Sequence, residues 1–160
     1  MRILGYIIAF LVLLAIQVAV LPYVTLGDFA PDILLIGIII LGIRDGGVAA
    51  MITGSFAGLG RDILSSKFLG VTMLALVVAG FLAGIYKKNS QRLGLRGNLV
   101  FLFSIVFIYH AILYLLFFLD TKQGVFNILL GEALPAALYT LILIGIAHFL
   151  MPRGLWGRNK

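Results

Sequence analysis

The sequence predicts an all-α polytopic membrane protein, a bundle of six transmembrane helices. Three observations predict it. Hydrophobic residues make up 62% of the 160-residue chain and charged residues only 11%, with a mean hydropathy of +1.18, whereas a soluble domain carries about 25% charge. The apolar residues come in runs of membrane-spanning scale, roughly 20 residues at about 1.5 Å each. The charges gather in the breaks between runs, because an Asp, Lys or Arg at a bilayer centre costs roughly 2.5–3.5 kcal/mol.

The first run is Ile3–Leu21 (residues 3–21), with Gln17 as its one strong polar group. It follows Arg2 as a signal peptide would, but it exceeds an apolar region of about 7–15 residues and no Ala-x-Ala site closes it. It is expected to stay as an uncleaved first span. The second run, Phe29–Ile43 (29–43), opens on Pro31-Asp32. A proline in a first turn gives up no hydrogen bond, and an acid there meets the positive end of the helix dipole, so Asp32 is expected to cap.

The third run is Gly46–Leu64 (46–64). The second and third runs are short. Either they cross with tilt or local thinning, or they form a re-entrant hairpin tipped by Arg44-Asp45-Gly46-Gly47, which survives at that depth only under cover of protein or water. A buried Arg44-Asp45 pair would need good geometry to offset its desolvation.

The fourth run is Val71–Tyr86 (71–86) and the fifth Leu99–Leu119 (99–119), with His110 near its middle. The sixth, Val125–Met151 (125–151), is interrupted by Glu132 and Pro135. Proline has no N–H, so a helix running through it would strand the Gly131 carbonyl. The expected solution starts the spanning helix near Glu132 and leaves Val125–Gly131 as a short interfacial piece. No polar linker divides the chain, so residues 1–160 are expected to form one integral membrane domain.

Lys and Arg set the expected orientation. With a cytoplasmic N-terminus, one side holds Arg2, Arg44, Lys87, Lys88, Arg92, Arg96, Arg153, Arg158 and Lys160, and the other Arg61, Lys67 and Lys122. The positive-inside rule favours this arrangement, with both termini cytoplasmic and Lys87, Lys88, Arg92 and Arg96 as the main basic loop. Asp28, Asp32, Asp62 and Asp120 fall on the outer side. The net charge of +6 then marks loops and membrane-surface contacts and not a nucleic-acid footprint.

Gly54-x-x-x-Gly58 and Gly80-x-x-x-Gly84 place glycine pairs one helical turn apart, making grooves where another backbone approaches closely. They serve either packing within the chain or docking of a partner's transmembrane helix; the second makes Gly54, Gly58, Gly80 and Gly84 candidate partner-binding positions. Arg61 and Asp62, with Lys67 nearby, form either an outer-surface ion network or half of a binding site. His110 is a functional candidate as an intramembrane histidine, or else it bonds a neighbouring helix. His148 is expected near the inner interface.

With no cysteine, disulfides, thiolate metal sites and cysteine nucleophiles are excluded. HExxH, Gly-x-Ser-x-Gly and Walker A motifs are absent from the sequence, and its few acids are too scattered to suggest a two-metal site. No enzymatic activity, cofactor or metal is expected.

The order and spacing of these motifs resemble the bacterial rod shape-determining protein MreD family over nearly the whole length. Pro31-Asp32 opens the second segment, and Arg44 and Gly46 close it. Gly54, Gly58, Asp62, Leu64, Ser65 and Gly70 match the glycine-rich third segment and the turn after it. Gly80 and Gly84 match the small-residue helix, and Leu134, Pro135, Leu138 and Tyr139 match the start of the last one, with Glu132 just ahead. The chain departs at Thr72 and Thr140, where the family favours asparagine, and in placing Arg61 beside Asp62.

The resemblance implies a six-helix fold similar to the substrate-binding subunits of energy-coupling-factor transporters. It implies a bacterial cytoplasmic membrane component of the cell-elongation and peptidoglycan-synthesis machinery, without enzymatic activity. The implied partners are MreC, a bitopic protein with a large periplasmic part; RodA, a glycosyltransferase, with its partner transpeptidase, a class B penicillin-binding protein; and, indirectly, the filament protein MreB. The expected function is an adaptor that binds MreC and links cytoplasmic and periplasmic parts. The alternative is a small-molecule-binding subunit of a membrane transporter, with a polar outer pocket formed by Asp32, Asp62 and Glu132.

Overall fold

The computed structural model describes residues 32–65, 69–90, 92, 94–118 and 124–150, together with residues 5, 8, 10, 12–15, 17 and 19; the side chains of residues 65, 95 and 146–150 are not included. Expectations at Arg2, Asp28, Pro31, Lys67, Asp120, Lys122, Arg153, Arg158 and Lys160 lie outside the described residues, as does the side chain of His148.

The described chain is helical. The described positions between 5 and 19 are helical, and they are followed by α1 (Ile33–Arg44), α2 (Gly47–Ser65), α3 (Val71–Asn89), α4 (Leu95–Phe117) and α5 (Val125–Ile128). A π-helical turn, Leu129–Ala133, joins α5 to the last helix, α6 (Leu134–Leu150). Among the described residues, Val71–Asn89, Arg96–Phe117 and Val125–Gly145 are long and apolar enough to cross a membrane. The chain is a helical membrane protein.

Helix starts and stops follow local chemistry. Asp32 caps α1 through its carboxylate, which accepts the Leu35 N–H at 3.2 Å. At the other end Asp45 N–H closes on Leu41 O at 2.8 Å, and Gly46 turns the chain with φ of 108°, a left-handed conformation that a side chain would strain. Gly70 does the same ahead of α3 with φ of 95°. The helices α3 and α4 carry Lys87, Lys88 and Arg96 beyond their apolar runs, since a helical ladder need not end where the hydrocarbon does.

The expected break near Glu132 is not found. In an α-helix the ring of Pro135 would collide with the Gly131 carbonyl. The π-turn widens the helix just ahead of the proline, with Leu134 N–H reaching Leu129 O, and the chain continues as one rod. Val125–Gly131 is therefore the first part of the last span and not a separate interfacial piece.

The most enclosed helix is α1. Leu34, Leu35, Ile38 and Ile39 are all buried, against Leu76, Ala79 and Ala83 of α3 and Ile105, Val106 and Tyr109 of α4 in one continuous core. A helix apolar on every side suits a central position. At 12 residues it spans about 18 Å, well short of a bilayer. Phe10 and Leu14 bring the N-terminal helical positions onto the same core.

Candidate functional site

Two buried acids organise the polar interior. The first is Asp32, whose side chain is 4% exposed. Its Oδ2 accepts hydrogen bonds from Arg61 Nη1 and from the Tyr109 hydroxyl, and Arg61 Nη1 also lies 3.1 Å from that hydroxyl. Its Oδ1 accepts from Leu35 N–H and from Gln17 Nε2, each at 3.2 Å. Gln17 Oε1 in turn accepts Leu34 N–H at 3.0 Å. The N-terminal positions, α1, α2 and α4 therefore meet at one carboxylate. Its charge is matched by Arg61, and the Leu34 and Leu35 N–H groups in the first turn of α1 are satisfied by Gln17 and Asp32. Pairing of this kind makes an ionised group tolerable inside a membrane.

The second acid is Asp62, also buried. Its Oδ2 accepts Gly70 N–H at 2.9 Å and Met73 N–H at 3.2 Å, and its Oδ1 accepts Thr72 N–H at 3.2 Å. Gly70, the residue at the cap of α3, has no side chain for the purpose, so a carboxylate from the end of α2 caps α3. Thr72, at a position where asparagine was expected, contributes its backbone to this contact.

Arg61 and Asp62 thus enter different networks. Neighbours on an α-helix point about 100° apart, so one reaches Asp32 and the other α3. Lys67, the third member of the expected outer-surface network, lies outside the described residues. Glu132 lies half-buried on the π-turn, and Pro135 and Tyr139 lie half-buried on α6. The oxygens of Asp32 and Asp62 accept hydrogen bonds from the chain's own donors.

His110 donates from Nδ1 to Val106 O at 2.8 Å within its own helix. Its Nε2 lies 3.5 Å from the Thr140 hydroxyl on α6, which donates to Ala136 O at 2.9 Å. The ring packs edge-on against Tyr109, linking this small network to the carboxylate next door.

The glycine grooves are filled from within. A Cβ built on Gly54 would stand 3.1 Å from Leu76 O, and one on Gly58 2.6 Å from Met73 N. Across the same contact, one on Gly80 would stand 2.9 Å from Ala50 C and one on Gly84 2.6 Å from Gly47 N. The helices α2 and α3 meet backbone to backbone along these positions. The expectation of a partner's helix in these grooves is corrected accordingly, because another helix would first have to part α2 from α3.

At the far end Lys87 Nζ donates to Arg44 O at 2.6 Å. Arg44 and Asp45 are exposed there, so the turn between α1 and α2 is not covered by the rest of the described chain. Lys87, Lys88, Arg92 and Arg96 are exposed at the junction of α3 and α4.

Sequence reasoning missed Tyr109 altogether and read Gln17 only as an isolated polar group. A hydroxyl and an amide at mid-run in apolar helices were the available signal.

Neither curated proteins nor solved structures offer a match to the chain. The sequence model of the family described as rod shape-determining protein MreD matches residues 1–153 of the 160, so the chain belongs to the MreD family and has a role in rod shape determination.

Proposed function

We propose that this chain is a non-enzymatic adaptor of the cell-elongation machinery in the bacterial cytoplasmic membrane. It forms a single multi-pass domain with six spans and both termini in the cytoplasm. It binds an MreC-type protein and contacts RodA with its partner transpeptidase, and through them connects to MreB. Family membership supplies the cellular setting.

The observation that carries the adaptor reading is the closure of the polar interior. Asp32 and Asp62 are the groups a small ligand or a chemical step would call on, and both are engaged by the chain's own N–H, O–H and guanidinium donors. What the described residues offer outward is apolar helix faces and a basic end, which are surfaces for other proteins and for lipid. The transporter-subunit alternative receives no such support.

The test is co-purification in mild detergent of the intact chain with a co-expressed MreC-type protein, beside an unrelated bitopic protein of similar size. Selective retention of the MreC-type protein is expected. Equal retention of both, or of neither, would overturn the adaptor reading, as would substrate turnover by the purified chain alone.

A further inference from the structure

We propose that the basic end of the bundle is a binding surface for anionic phospholipid, with the headgroup phosphate on Arg92 and Arg96 or Lys88 and an acyl chain along the helix above. The charge is one-sided. Arg44, Lys87, Lys88, Arg92 and Arg96 are all exposed here, and Asp45 is the acid that accompanies them among the described residues. Lys87 is committed to the Arg44 carbonyl, which ties the α1–α2 turn to the end of α3 and so collects the cations of separate segments at one level.

What selects lipid as the occupant is the surface directly above the cations. On α4, Arg96, Leu99, Val100 and Phe103 follow helical spacing along one face, and Leu99 and Val100 are 57% and 65% exposed. On α3, Lys88, Phe81 and Leu74 recur at intervals of about two turns, with Phe81 and Leu74 each about half exposed. A cation with an exposed apolar stripe rising from it matches the shape of a phospholipid, charged at one end and hydrocarbon beyond. A soluble acidic partner would use the charges and leave the stripes uncovered. Clusters of Lys and Arg at the foot of membrane helices favour anionic headgroups, by about fivefold for each cation near the surface.

The experiment uses the full chain in nanodiscs of equal phosphatidylglycerol and phosphatidylcholine. Lipid retained after mild extraction is counted by native mass spectrometry. Phosphatidylglycerol is expected in excess by at least about fivefold. The triple variant Lys88→Gln, Arg92→Gln, Arg96→Gln is expected to bring the ratio close to one, while Arg92→Lys with Arg96→Lys keeps it, which separates lost charge from lost fold. Excess inorganic phosphate is expected to leave the lipid bound. Equal retention of the two lipids, an unchanged ratio in the triple variant, displacement by free phosphate, or a requirement for these cations only in holding a soluble acidic protein would each overturn the proposal.

Discussion

Replacing Arg61 by methionine removes the cation from a carboxylate that is almost fully buried. The two partners are unequally placed: the Arg61 side chain is 29% exposed and that of Asp32 only 4%. Breaking a buried pair from one side costs about 3–5 kcal/mol, because the remaining charge stays buried. Tyr109 and Gln17 still donate to Asp32, which places Arg61→Met at the lower end, about 3 kcal/mol. At roughly 2–4 °C per kcal/mol for a chain of this size, the melting temperature should fall by about 6–12 °C. Asp32→Asn leaves a different residue behind. The amide keeps an oxygen for Leu35 N–H, and Arg61 turns its guanidinium outward, so the loss should be about 1–2 kcal/mol. The double variant should cost less than the two singles summed. Thermal unfolding in detergent, followed by helical circular dichroism, measures all three. An Asp32→Asn variant as damaging as Arg61→Met, or strict additivity in the double, would refute the reasoning.

Gly58→Leu and Gly84→Leu should each abolish monodisperse protein on size exclusion, since the new Cβ would fall 2.6 Å from a backbone nitrogen of the facing helix. Gly131→Ala, with nothing within 4 Å, should melt at or slightly above the parent temperature. Asp62→Ala uncaps α3 inside the protein and should cost about 2–3 kcal/mol, read as lowered melting temperature, with Asp62→Asn losing less. The chain has no cysteine, so single cysteines report topology cleanly. Lys88→Cys should react with an impermeant maleimide only from the cytoplasmic side and Leu69→Cys, exposed at the other end of α3, only from outside; labelling of both from one side would reject the proposed orientation.

Much of the helical layout was legible because burial in lipid penalises charge wherever it falls. The breaks at Arg44-Asp45 and after Lys88, and the cap at Asp32, follow from that penalty and from dipole chemistry alone. The partners of Asp32 were not legible. Gln17, Arg61 and Tyr109 lie 15, 29 and 77 positions away, and nothing local to any of them names the others. The glycine pairs showed where a backbone would come close, yet spacing is silent on whose backbone it is. Asp62 was visible as an acid at a helix end, but its task lies in the next helix, where it accepts the Gly70, Thr72 and Met73 N–H groups. Pro135 announced a disturbance, but a proline's missing N–H is met equally by a break or by a widened turn, and the chain takes the second.

The Asp32 contact also bears on how the nascent chain enters the bilayer. Were α1 released into lipid as it left the translocon, Asp32 would enter without its counter-ion, with only the Leu35 N–H and Gln17 to donate to it. Its counter-ion is synthesised 29 residues later, near the end of α2. Asp62 waits at most 11 residues for its own donors. An order that held α1 back until α2 had emerged would bring the ion pair into the bilayer already formed. Tyr109 adds the last donor to the same oxygen from α4.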